Sequence, residues 1–202
     1  MSTDLSVYCT KDTEYFVSQN SIQKYPFATS LLDFLYLDLS QGNQSHIYFD
    51  ALNLDIKQIT TDISILQKKV KTLFAEVFDV LPSEKRLSEK LIDYFAGNDD
   101  SARFSFSALT TKYEQIEPGI FADVLYPKSV EDIVDFFVRE CLRRELRFKR
   151  CKCCGKYFEL TSYSNTEYCD RLFGDSGKTC KQTGAIRLYP HKDYRRSQDS
   201  GV

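Results

Sequence analysis

Histidine is scarce in this chain: two in 202 residues, His46 and His191, and neither lies in a catalytic motif. The phosphate loop G-x-x-x-x-G-K-[ST], the dinucleotide turn G-x-G-x-x-G, the nucleophile elbow G-x-S-x-G and the zinc-protease helix H-E-x-x-H are all missing. These absences remove the common routes to phosphoryl transfer, hydride transfer, acyl transfer and metal-assisted hydrolysis, so the expectation is a protein that is not an enzyme, and no small-molecule substrate is identified. No apolar run reaches the roughly 18 residues that span a bilayer, which predicts no membrane partner. Met1-Ser2-Thr3-Asp4 carries no basic stretch leading into an apolar one, so no secretory signal is expected. There is neither an internal repeat nor a low-complexity linker.

Cysteine, by contrast, is abundant, with seven residues. Without an export signal, that number argues for a reducing cytoplasm and for thiolate–metal chemistry rather than disulfides. Cys151, Cys154, Cys169 and Cys180 are spaced C-x2-C-x14-C-x10-C. A tetrahedral Zn²⁺ site takes four soft ligands from two chain segments, and one tight C-x2-C turn can offer two of them. Gly155 follows the second cysteine, where a residue without Cβ lets the backbone curl and turn its amides toward sulfur. The spacing therefore predicts one structural Zn²⁺. Two alternatives stand within the set: Cys153 could replace Cys154 in a C-x-C arrangement, and His191 could replace a cysteine. The position of Gly155 favours Cys154. A redox role for C-x2-C needs a thioredoxin-like βαβ context, which is absent. Cys9 and Cys141 read as small buried hydrophobes.

Charge is the second signal. The chain as a whole is −2, but residues 139–202 hold 15 Lys+Arg against 8 Asp+Glu, while residues 1–138 hold 12 against 21. The basic set that could meet nucleic-acid phosphates is Arg143, Arg144, Arg147, Lys149, Arg150, Lys152, Lys156, Lys181 and Arg187, with Arg195 and Arg196 beyond, and Tyr157 or Tyr163 could stack on bases. Two partners fit: DNA or RNA, or an acidic protein surface. The same cations also suit a helix C-terminus and a solvated face.

The expected architecture is mainly α, with a minor β component. Short β-like stretches at Ser6–Thr10 and Glu14–Ser18 could pair as a hairpin. Helical patterns cover Phe27–Leu39, Leu54–Val80 and Ser83–Phe95, and Ile120–Tyr126 reads as a strand. Ser129 and Asp132 form a capping-box pattern opening a helix whose apolar stripe is Val130, Ile133, Val134, Phe137 and Cys141. That helix runs into the first cysteine without a linker, so residues 1–147 are expected as a mainly helical domain and residues 148–202 as a four-cysteine zinc module with a basic tail. Thr179 and Gln182 form a second capping-box pattern, which puts Cys180 in the first turn of a terminal helix and makes the module treble-clef-like.

Cys151-Lys152-Cys153-Cys154-Gly155-Lys156-Tyr157-Phe158, Tyr168-Cys169-Asp170, Thr179-Cys180-Lys181 and Gly184-Ala185 together resemble an uncharacterised family of bacterial proteins, a domain of unknown function with a helical N-terminal region and a C-terminal C-x2-C-G-K-x-F zinc module. The pattern is more distantly similar to the CGNR zinc finger, which follows a helical domain in bacterial transcription regulators. Matching positions cover residues 130–187. The resemblance implies a zinc-stabilised, transcription-associated factor. The chain departs from the CGNR pattern in having Cys180-Lys181-Gln182-Thr183-Gly184 where that finger has Cys-Gly-Asn-Arg, and ten residues rather than three between its last two cysteines.

Overall fold

The computed structural model describes residues 5–40, 45–81, 85–160, 166–174 and 177–188, with the backbone alone at 56–57 and 185–188. The chain divides into two compact units, Met1–Phe148 and Lys149–Val202.

In the first unit, β1 (Ser6–Cys9) and β2 (Thr13–Ser18) form an antiparallel hairpin with Val7 opposite Phe16. β3 (Ser21–Pro26) adds to β2, while β5 (Ile120–Leu125) joins β1 and carries β4 (Thr111–Glu117) on its outer edge. The result is a five-stranded antiparallel sheet in the order β3-β2-β1-β5-β4. Side chains alternate across it: Val7 and Phe16 point into the core, while Tyr8 and Tyr15 stack on the other face with ring centres 4.6 Å apart.

The helices are α1 (Thr29–Leu35), α2 (Ile47–Leu52), α3 (Ile56–Leu73, continued by a π-helical turn at Phe74–Phe78), α4 (Leu87–Gly97) and α5 (Val130–Arg143). Phe16 from the sheet meets Phe137 of α5 and Tyr48 of α2 at 5.8 and 5.9 Å, and Phe34 of α1 meets Tyr48 at 5.6 Å. The expected stripe of α5 is the buried one, from Val130 to Cys141. Its capping box also forms: Asp132 N–H donates to Ser129 Oγ at 3.1 Å, and Ser129 N–H to the Asp132 carboxylate at 3.1 Å. A second apolar cluster joins Phe74, Phe78 and Phe148.

The fold class is therefore α+β, which corrects the expectation of a mainly α protein with a helical body over 1–147. The error has a physical source. β3 (SIQKYP) and β4 (TKYEQIE) are sheet edges with most positions exposed, so neither carries the apolar alternation that announces a half-buried strand. The helix expected over Phe27–Leu39 is confined to Thr29–Leu35, because Pro26 ends β3 instead of opening a helix. The helix expected from Ser83 begins at Leu87, where Glu89 accepts the Arg86 N–H at 2.8 Å; Ser83 lies outside the described residues. Among the described residues no helix is long and apolar enough to cross a membrane.

β6 (Phe148–Arg150) begins at the last residue of the first unit and pairs with β7 (Tyr157–Glu159); the described part of the second unit ends in α6 (Cys180–Leu188).

Candidate metal centre

The first pair of thiols is set by the turn between β6 and β7. Gly155 N–H donates to the Cys151 carbonyl at 2.9 Å, and Cys151 N–H to that of Lys156 at 2.9 Å. This closure places Gly155 at φ +72, where a residue with a Cβ is strained. Lys152 N–H reaches the Glu167 carbonyl at 2.9 Å and draws the third cysteine's segment alongside.

The second pair comes from a small hairpin and a helix start. Phe173 N–H donates to the Lys178 carbonyl and Leu172 bridges Thr179, closing the loop between Cys169 and Cys180. Thr179 and Gln182 make the expected reciprocal cap, at 2.9 and 3.2 Å. Cys180 is the first residue of α6; its N–H donates to the Arg171 carbonyl and that of Lys181 to the Cys169 carbonyl. The Arg171 guanidinium ties the hairpin to β7 through the Tyr157 carbonyl at 2.7 Å. Gly184 on α6 faces Tyr168 so closely that a Cβ there would overlap the ring.

The outcome is convergence. The sulfurs of Cys151, Cys154, Cys169 and Cys180 all lie within 4.8 Å of one another, and Cys154 Sγ is 3.7 Å from Cys169 Sγ. Bonds of about 2.3 Å to a tetrahedral ion put ligand sulfurs about 3.8 Å apart, so four cysteines in this array could hold a metal ion. Cys153 is not one of the four; it packs half-buried against the cluster, and its N–H points at Cys151 Sγ at 3.4 Å, as does that of Cys169. Amides aimed at sulfur favour the thiolate. Burial, the largest single influence on Cys151, raises its pKa, but the amides of Cys154, Cys169 and Cys153 together bring it down to about 7. Cys180 is driven the other way, by burial first and then by its hydrogen bonds with the Cys154 and Cys169 thiols. Four sulfurs fill a tetrahedral shell and leave no position for a reactant water.

The expected phosphate contacts divide. Arg143 pairs with Glu140 at 2.7 Å and Asp123 at 3.4 Å. Arg144 pairs with Glu140 at 3.1 Å, donates to the Thr10 and Lys11 carbonyls, and lies over the Phe27 ring. It also reaches Cys9, which is thus only part-buried and polar in its contacts rather than a simple core hydrophobe. Lys152 pairs with Glu167 at 2.5 Å and Lys181 with Asp170 at 3.9 Å. Arg150 donates to the Tyr157 hydroxyl, and Tyr157 is buried, which removes it as a base-stacking platform. Arg147 and Lys156 are exposed and Lys149 half-buried. The Arg187 side chain, Tyr163, His191, Arg195 and Arg196 lie outside what is described. The pattern missed one polar group altogether. Buried Glu14 accepts the Ser30 N–H at 3.3 Å, Ser30 Oγ meets Tyr48 Oη at 3.0 Å, and His46 Nε2 meets the Ser30 carbonyl at 3.2 Å. Because Tyr48 N–H donates to His46 Nδ1, it is Nε2 that carries the proton.

A family of unknown function, DUF6076, matches residues 100–199. The stretch of this chain from residue 100, which takes in β4, β5 and α5 of the first unit, through the cysteine centre is thus similar to an uncharacterised domain. No curated protein and no solved structure matches the chain.

Proposed function

We propose that this chain is a non-enzymatic zinc protein in which one structural Zn²⁺, held by Cys151, Cys154, Cys169 and Cys180, stabilises a C-terminal module that binds nucleic-acid phosphates. The observation that carries the reading is the four-sulfur array. All four of its candidate ligands are thiols, the donor set that favours Zn²⁺ among abundant divalent ions, and four thiolates would complete a tetrahedral shell. Supporting the nucleic-acid reading is the charge of residues 149–202, with 11 Lys+Arg against 6 Asp+Glu. Four thiolates and one divalent cation leave the module near +3, still basic on a chain of net −2.

A second reading is favoured by the ion pairs. Lys152 and Lys181 meet acids of their own unit, and Arg143 and Arg144 meet acids of theirs. In that reading the module is structural or binds an acidic protein. The two separate on salt dependence. Anisotropy titrations of zinc-loaded full chain with duplex DNA and single-stranded RNA are expected to show binding that weakens with salt, at a log–log slope of about −0.9 per phosphate neutralised on duplex. No binding of either at low salt overturns the nucleic-acid reading and leaves the zinc assignment standing.

A further inference from the structure

The first unit is acidic, with 16 Lys+Arg against 23 Asp+Glu over residues 1–148. Yet one of its cavities, about 610 Å³, is lined among the described residues by Lys85, Arg86, Lys90 and Arg147 and by a single carboxylate, that of Glu145. Four of the unit's cations thus converge on one concave surface, at the point where α4 begins and the chain leaves α5. The helix start adds its partial positive charge to theirs.

Lys90 is the informative member. It is 7% exposed, and its ammonium donates to the Asp79 carbonyl at 2.6 Å, its one hydrogen-bond partner among the described residues. It makes no ion pair within 4 Å among those residues; burial and, less strongly, Arg147 lower its pKa, and the Asp79 carboxylate only partly offsets them. A buried ammonium with donors to spare and no carboxylate in direct contact is expensive unless an anion completes it. Arg86 and Arg147, exposed at the cavity wall, present planar forks suited to two oxygens of one phosphate. Lys85 is partly spent on Asp93 at 2.6 Å.

We propose that this cavity binds a phosphorylated small molecule, its phosphate held by Lys90, Arg86 and Arg147. The volume lies within the roughly 300–1,000 Å³ of small-molecule sites and exceeds what inorganic phosphate needs. Half of the lining is charged, with four cations against one carboxylate among the described residues, which suits a ligand carrying more than one negative charge. The site is built from residues 77–147 and does not rest on the cysteine centre or on the nucleic-acid reading.

Calorimetric titration of the full chain with inorganic phosphate, pyrophosphate and a nucleoside diphosphate tests it. Saturable binding of pyrophosphate or the nucleoside diphosphate is expected, weakened at least tenfold in Arg147→Gln and in Lys90→Gln and unchanged in Lys128→Gln, a cation outside the cavity. Glu145→Gln removes the one carboxylate that lines the cavity among the described residues and is expected to tighten binding several-fold, a gain that misfolding does not mimic. Absence of saturable binding of all three probes at millimolar concentration overturns the proposal. So does binding indifferent to Arg147 and Glu145, or a chain that takes up duplex DNA and none of the small phosphates.

Discussion

Phe16, Phe34, Tyr48 and Phe137 fill the core of the first unit, each with 2% or less of its surface exposed. The buried cluster around the metal centre of the second unit consists of Cys151, Phe158, Cys169 and Cys180, three thiols and one ring. A 148-residue unit can bury enough apolar surface to fold on that term alone, whereas one of 54 residues is in the size range where metals or disulfides make up the shortfall. The first unit is thus expected to depend on packing and to ignore chelators. The second should do the reverse.

The largest effect should come from breaking the thiol set. Structural zinc contributes about 10–16 kcal/mol to small metallo-domains. Cys169→Ser, or treatment with a strong chelator, should unfold the second unit. Hydrogen exchange would then report lost protection for amides of β7 and of the start of α6, with protection in α5 retained; simultaneous loss in α5 would mean the two units do not differ as described. The converse perturbation is Phe137→Ala, which empties a fully buried ring site and should cost about 3–5 kcal/mol in urea unfolding while leaving metal content unchanged.

A third prediction concerns the buried polar network of the first unit. Burial, the dominant cause, raises the Glu14 pKa from 4.5 to about 8, with the Ser30 hydroxyl and the Ser30 and Ala28 amides opposing it. The folded state therefore holds this proton more tightly than the unfolded chain does. Its contribution is full below pH 4.5 and is lost as pH rises through about 8. Burial pulls His46 down from 6.5 to about 4, so its contribution is present above pH 6.5 and lost as pH falls toward 4. Within this network only the Glu14 slope operates between pH 6.5 and 8; the Cys151 thiol, which titrates there too, belongs to the second unit. Glu14→Gln should flatten stability in that window, an effect of about 1.5–2 kcal/mol end to end. A wild-type first unit whose stability, followed by hydrogen exchange in α5, does not fall from pH 6.5 to 8 contradicts it.

The smallest effect belongs to Gly184. Alanine favours a helix over glycine by about 0.5–1 kcal/mol, but here its Cβ would meet the Tyr168 ring. Overpacking should win, at about 1–3 kcal/mol, confined to the second unit. A stabilised Gly184→Ala would show that Tyr168 moves aside freely.

How much could be read in advance follows the same division. The cysteine centre was legible because its determinants are local: a four-residue turn fixes Cys151 and Cys154, and one capped helix start fixes Cys180. Ser129 and the α5 stripe were legible for the same reason. The sheet was only half legible. Val7 and Phe16 alternate with outward residues because one face is buried, but β3 and β4 have little buried on either face and leave no trace in the pattern. α2 is six residues long, too short for periodicity to declare it. The Glu14–Ser30–Tyr48–His46 network joins separate elements, and nothing local marks its members. The cavity cations come from two segments more than fifty residues apart and look like ordinary surface charge until the fold brings them together.

Metal content of the full chain, purified without chelator and measured by elemental analysis across single cysteine variants, tests the central claim most directly. One zinc per chain is expected in the wild type and in Cys153→Ser, with loss in Cys154→Ser. A metal-free wild type, or zinc retained in Cys154→Ser and lost in Cys153→Ser, would contradict the assignment.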